Sequence, residues 1–144
     1  MTEVMFHLNV ADRLGYACRL LRKAHASGAK VVVSAPEPTL GRLDELLWTF
    51  DEAEFVPHVH VAAGATVAPR LRQTPIWLVG QVDQAPHHEV LVNLGDELVP
   101  GFESFERVFE IVPRDDELPR QAARRRWRHY ADRGYVLKQH EARA

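Results

Sequence analysis

The sequence predicts an α/β fold: one domain with a mostly parallel central sheet flanked by helices. Three observations carry that prediction. Val31-Val32-Val33, Ile76-Trp77-Leu78-Val79 and Val90-Leu91-Val92 are short continuous apolar runs, as in strands covered on both faces. The chain opens strand–helix–strand–helix, which favours parallel strands joined by right-handed crossovers. No repeat, low-complexity tract or long linker divides its 144 residues, a length that suits a single domain with a real core.

Residues 3–10 read as the first strand, with Val4, Phe6 and Leu8 alternating. Asn9 and Asp12 are turn or N-cap residues, and a helix over about 12–26 follows. Its apolar stripe is Leu14, Ala17, Cys18, Leu21 and Ala24, closed by Ser27-Gly28. Residues 30–34 form the second strand, and 36–48 the second helix, with Leu40, Leu43, Leu46 and Leu47 as its stripe. The pattern then breaks at an aromatic, proline-bearing stretch, Phe50 and Phe55-Val56-Pro57-His58. A short strand at 59–61 and a Gly/Ala/Pro-rich loop over 62–74 follow. Strands at 76–80 and 90–94 flank a polar turn. Phe102, Phe105 and Val108 read as a short helix, and 108–112 as the final strand. A long basic helix spans 115–134, then a short segment at 135–137 and a polar tail from about 138. The whole of 1–144 is one domain.

That basic helix carries its own end signals. Asp115, Asp116 and Glu117 suit the positive helix start, Pro119 the first turn, and Gly134 the left-handed residue after the last turn. Residues 120–133 hold six arginines and one acid, Asp132. Arg120, Arg124 and Trp127 are spaced i, i+4, i+7 and share a face. Two guanidinium groups beside an indole suit an anionic partner with an aromatic or apolar end. A solvated basic face with Trp127 tucked into the core is the other reading of the same pattern, since most charge runs are surface.

Charge is unevenly placed. The net charge is −2, yet residues 1–110 carry 9 Lys/Arg against 15 Asp/Glu, or −6, and residues 111–144 carry 9 against 5, or +4. Positive charge gathered at one end favours a local anion site over a broad nucleic-acid surface. Cys18 is the one cysteine, so no internal disulfide forms and a reducing compartment is expected. The start shows no basic n-region and no long apolar run, so neither signal peptide nor membrane span is expected. The location expected is cytoplasmic.

An α/β opening invites a small nucleotide-binding protein or enzyme, but the glycine motifs that let backbone amides approach a pyrophosphate are missing. After the first strand comes Asn9-Val10-Ala11-Asp12-Arg13-Leu14-Gly15. His58 and His60 point to one side of a strand, a geometry that can chelate, and His87-His88 are adjacent. Neither pair has the further ligands a zinc site needs, so loop and strand-end roles are expected. Cys18 on an apolar stripe reads as an inert core thiol. Ser34 and Ser104 lack a nucleophile-elbow context. Asp44-Glu45 and Asp51-Glu52 read as helix-surface or helix-end charges. No catalytic residue, metal or cofactor is expected. The cluster of Trp48 with Phe50, Phe55, Val56 and Pro57 is either core or a partner-binding patch with aromatic anchors. Periodicity favours core for Phe55 and leaves Trp48 evenly placed between the two.

In order and spacing the chain resembles the chi subunit family of bacterial DNA polymerase III, from end to end. The anchors are Val4-Met5-Phe6-His7-Leu8, Leu43-Asp44-Glu45-Leu46-Leu47-Trp48, Phe55-Val56-Pro57-His58, Pro86 with Val90-Leu91-Val92-Asn93-Leu94, the stretch from Phe102 to Val108, and Arg124-Arg125-Arg126-Trp127-Arg128-His129-Tyr130. The resemblance implies a non-enzymatic adaptor whose α/β fold is like nucleotide-binding domains but without a phosphate loop. It implies binding of the acidic C-terminal tail of single-stranded DNA-binding protein, which ends in aspartates and then Ile-Pro-Phe. On the second side it implies the psi subunit of the clamp loader, with a helicase-like repair protein as a rival for that surface. DNA would be met only indirectly, and a membrane not at all. The family's tail-pocket cation, arginine and aromatic fall on Arg120, Arg124 and Trp127, with Arg128 peripheral. Its psi-facing Trp and Phe-Val-Pro fall on Trp48 and Phe55, Val56, Pro57. Arg125, Arg126 and Arg133 are left as solvated or structural.

Overall fold

The computed structural model describes residues 2–50, 55–62 and 64–142. Asp51 and Glu52 lie outside them, as does Ala63 in the 62–74 loop. Seven strands form one sheet: β1 (Glu3–Val10), β2 (Val31–Ser34), β3 (His58–Val61), β4 (Ile76–Val79), β5 (Val90–Asn93), β6 (Arg107–Pro113) and β7 (Val136–Glu141). Three helices accompany them: α1 (Arg13–Ala26), α2 (Glu37–Thr49) and α3 (Glu117–Asp132). The strand order is β3-β4-β2-β5-β6-β1-β7, and every pairing is parallel.

β2, β4 and β5 are buried at every residue, which is why they read as apolar runs. Alternate side chains feed two cores. On one face Val31, Val33, Ile76, Leu78 and Val92 pack against Ala17, Cys18 and Leu21 of α1 and Leu40, Leu43 and Leu47 of α2. On the other, Val4, Phe6, Val32, Trp77, Leu91 and Val108 pack against Ala123 and Tyr130 of α3. The sheet is thus the middle layer of three.

Helix ends follow their local chemistry. The Asp12 side chain accepts from the Gly15 amide at 3.1 Å, capping α1. Gly134 takes φ +77° and donates to Ala131 O at 3.1 Å, closing α3 as its position predicts. The Phe102 region is a single 3-10 turn, Phe102–Ser104, while Val108 belongs to β6.

Further expectations are corrected. The polar tail expected from about 138 is β7, paired with β1 from Glu3↔Val136 to Leu8↔Glu141. Only one side of an edge strand is paired and five of its six residues are exposed, so its sequence need not be apolar. Phe55 does not enter the core, as described below.

One local feature shapes the end of the sheet. The β1–β6 register runs to His7↔Ile111 and resumes at Val10↔Pro113, so β1 carries one extra residue there. Asn9 sits in this bulge with φ +63°, a left-handed conformation that asparagine tolerates better than most side chains.

Candidate functional site

The bulge opens onto a cleft of about 600 Å³ between α3 and the carboxyl ends of β1, β6 and β7. Its apolar floor is Phe6, Leu8, Val112, Ala123 and Trp127. Its rim carries Arg114, Arg120, Arg124 and Arg128, with Asn9, Gln139 and Glu141 opposite. That volume is within the ordinary range for ligand pockets. Arg120, Arg124 and Arg128 follow one another at four-residue intervals, so their guanidinium groups track along about 12 Å of helix. The four residues assigned to the tail pocket therefore line one cleft.

Trp127 is half-buried and sets the floor. Its ring meets Phe6 edge-on, with centroids 5.0 Å apart and planes at 68°. Arg120 and Arg124 are exposed and share an acid: Glu117 Oε2 lies 3.7 Å from Arg120 Nη1, and Arg124 Nη1 donates to Glu117 Oε1 at 3.2 Å. The hydrogen bond from Arg124 holds the Glu117 carboxyl below its ordinary pKa. Arg125 is exposed and is not part of the cleft lining.

Arg126 does something else. It turns inward, where its Nε donates to Glu110 Oε1 at 3.0 Å and its Nη1 to Asp96 O at 2.5 Å. Tyr130 donates to Glu110 Oε2 at 2.6 Å, and Asn93 Nδ2 to Glu110 Oε1 at 3.0 Å. Burial pushes the Glu110 carboxyl up, against the pull of Arg126, Tyr130 and Asn93. Ala122, Arg126 and Tyr130 lie four residues apart on the sheet-facing side of α3. Fixing that side fixes which arginines can reach the cleft. Sequence reasoning missed this network. Its signal was a charged residue inside the apolar run Val108-Phe109-Glu110-Ile111-Val112.

A second surface lies on the far side of the sheet. Trp48 and Phe55 are 60% and 53% exposed, and Leu46, expected on the buried stripe of α2, is itself 37% exposed. The expectation of a core position for Phe55 is thus overturned: Trp48 is one residue past Leu47 on α2, turned off the buried stripe, and Phe55 lies on it with centroids 5.0 Å apart. Val56 is buried and Pro57 half-buried, so they support the patch from below. His58 braces it, with its ring 5.3 Å from Trp48, Nδ1 donating to Val56 O at 2.7 Å and Nε2 2.9 Å from Asp44 Oδ1.

His60 Nε2 turns instead to Glu37 Oε1 at 3.0 Å, so the two strand histidines go to separate carboxylates. His88 stacks on Phe105 with centroids 4.4 Å apart and donates from Nε2 to Val82 O at 3.0 Å. Among the described residues no group of three or more His, Cys, Asp or Glu is placed to hold a metal. Burial pushes the Cys18 thiol up to about 11, which leaves it unreactive. No helix among the described residues is long and apolar enough to cross a membrane.

The family model described as "DNA polymerase III chi subunit, HolC" matches residues 1–138. The chain belongs to this family. Curated relatives agree. The DNA polymerase III subunit chi of Pseudomonas aeruginosa is 35% identical over 146 residues, covering 97% of this chain and 96% of that one. That of Haemophilus influenzae is 36% identical, covering 84% and 81%, and that of Escherichia coli 29%, covering 83% and 79%. The chain is accordingly a chi subunit of DNA polymerase III, a protein of DNA replication. The arginine-rimmed cleft lies along α3 on one face of the sheet, and Trp48 belongs to α2 on the other.

Proposed function

We propose that this chi subunit is a non-catalytic adaptor. Its α3 cleft binds the acidic C-terminal tail of single-stranded DNA-binding protein, and its aromatic patch binds the psi subunit of the clamp loader. The observation that carries the first half is the cleft's composition: three helix guanidinium groups along a rim above an apolar floor. Arg120 and Arg124 fit the tail's carboxylates, with Arg128 at the periphery. Trp127, Phe6 and Leu8 fit its terminal phenylalanine. For the second half, Trp48 and Phe55 are large apolar rings left in solvent on a braced support, the type of anchor that interfaces bury. The Phe55-Val56-Pro57 run fits the same surface, with Phe55 as the contact and Val56 and Pro57 beneath it. A helicase-like repair protein would compete for that patch.

One short peptide in one cleft gives an affinity of roughly micromolar, about −8 kcal/mol. Many tails displayed on a coated strand would raise it through effective concentration. Calorimetry with a peptide of several aspartates ending in Ile-Pro-Phe tests the reading. Saturable binding that weakens with salt and with amidation of the peptide's terminal carboxylate is expected. Absence of binding at low salt would overturn it.

A further inference from the structure

The two guanidinium groups best placed for an incoming carboxylate already hold one. Glu117 opens α3, lies outside the cleft lining, and reaches along the helix to both Arg124 (3.2 Å) and Arg120 (3.7 Å). Gln121 Nε2 donates to the same carboxylate at 3.5 Å. Glu117 thus offers from within the chain the chemistry that an acidic ligand would bring from outside. We infer that Glu117 is a built-in rival of the ligand, a specificity-determining acid that the ligand's carboxylates must displace from Arg124 and Arg120. This rests on the peptide-binding reading of the cleft.

The geometry makes the displacement feasible and selective. The contact to Arg124 uses one nitrogen, Nη1, whereas a guanidinium can grip a carboxylate with two parallel N–H donors. All three side chains are about half exposed, at 58% for Glu117, 44% for Arg120 and 60% for Arg124, so the pairs are held in water and exchange readily. A ligand with several carboxylates replaces both contacts and adds more. A singly charged ligand only swaps like for like, and a neutral one has no carboxylate to offer the arginines. An acid in a first helical turn is ordinarily explained by the helix dipole. Asp115 is also near the helix start, but its carboxylate turns to Arg114 at 3.1 Å, away from Arg120 and Arg124.

The test is calorimetry with the aspartate-rich peptide ending in Ile-Pro-Phe, on the full chain and its variants. Glu117→Gln should bind about two- to fivefold tighter, the range expected when an exposed competing pair is removed. Its affinity should fall more steeply with salt, because no internal pair is broken on binding. Asp132→Asn, an equal charge change elsewhere on α3, should gain less. Glu117→Asp keeps both the charge and the acidic helix start but is one methylene shorter, so it too should gain. In an Arg124→Ala background the Glu117→Gln gain should shrink to the part that Arg120 contributes. If Glu117→Gln gains no more than Asp132→Asn, or binds more weakly, the rival role is wrong while the peptide reading stands. If the unaltered chain does not bind the peptide at all, the peptide reading fails and takes this inference with it.

Discussion

Arg126 Nε donates to Glu110 Oε1 at 3.0 Å, and the two side chains are only 5% and 0% exposed. This pair joins α3 to β6 from inside the molecule, in a run of arginines whose other members face solvent or the cleft. A buried charge left without its partner is costly, so Arg126→Ala should lower stability by about 3–5 kcal/mol. Urea unfolding of the two proteins measures this. A loss below about 1 kcal/mol, as at an exposed arginine, would show that the pair does not hold the helix.

Arg124→Ala and Trp127→Ala should each weaken the acidic peptide by about 1–3 kcal/mol. Their effects on the fold should differ. Arg124 is 60% exposed, so its loss should leave the melting temperature nearly unchanged. Trp127 packs on Phe6, so its removal should also cost stability. Unchanged peptide affinity in both variants would remove the cleft as the tail site.

Trp48→Ala should change stability by less than about 1 kcal/mol, because the ring is 60% exposed and rests mainly on Phe55 and His58. Partner capture should suffer far more. Co-purification with a psi subunit should be lost in Trp48→Ala and retained in Arg124→Ala. The reverse pattern would mean that the two surfaces have been assigned to the wrong partners.

His7 gives a pH signature. It is buried on β1, its Nδ1 accepts from the Tyr16 hydroxyl, and burial with His140 nearby brings its pKa down to about 4 from 6.5. The unfolded chain therefore binds a proton that the folded chain refuses between those values. Stability from this group is complete above pH 6.5 and falls as pH drops toward 4. By pH 5 the loss is about 2 kcal/mol. Unfolding free energies of the chain and of His7→Phe at pH 7.5 and 5 should show the extra decline only in the chain with His7. Parallel profiles would contradict the assignment.

Most of the fold was legible because buried parallel strands and amphipathic helices write their burial into the sequence. Val31-Val32-Val33 and the Leu40, Leu43, Leu47 spacing are direct imprints of it. β7 was not legible, since Lys138, Gln139, His140 and Glu141 form an edge whose side chains stay largely in water. The site divides the same way. The i, i+4, i+7 face of Arg120, Arg124 and Trp127 is local and was visible. What surrounds it is not local: Phe6 and Leu8 come from the start of the chain, and Gln139 and Glu141 from near residue 140. Phe55 was misplaced for a related reason. Whether an aromatic ring after a helix faces in or out depends on the neighbours it meets in space, here Trp48 and His58.

The position of β1 between β6 and β7 also bears on how the protein is made. β1 ends at Val10, and its first partner does not begin until Arg107. At ribosomal speeds of 5–20 residues per second, roughly five to twenty seconds separate the two. Throughout that interval Val4 and Phe6 have no strand beside them and no α3 to cover them. The half of the sheet that carries the cleft is therefore the last to assemble during synthesis, and the nascent chain must be kept from aggregating until it does.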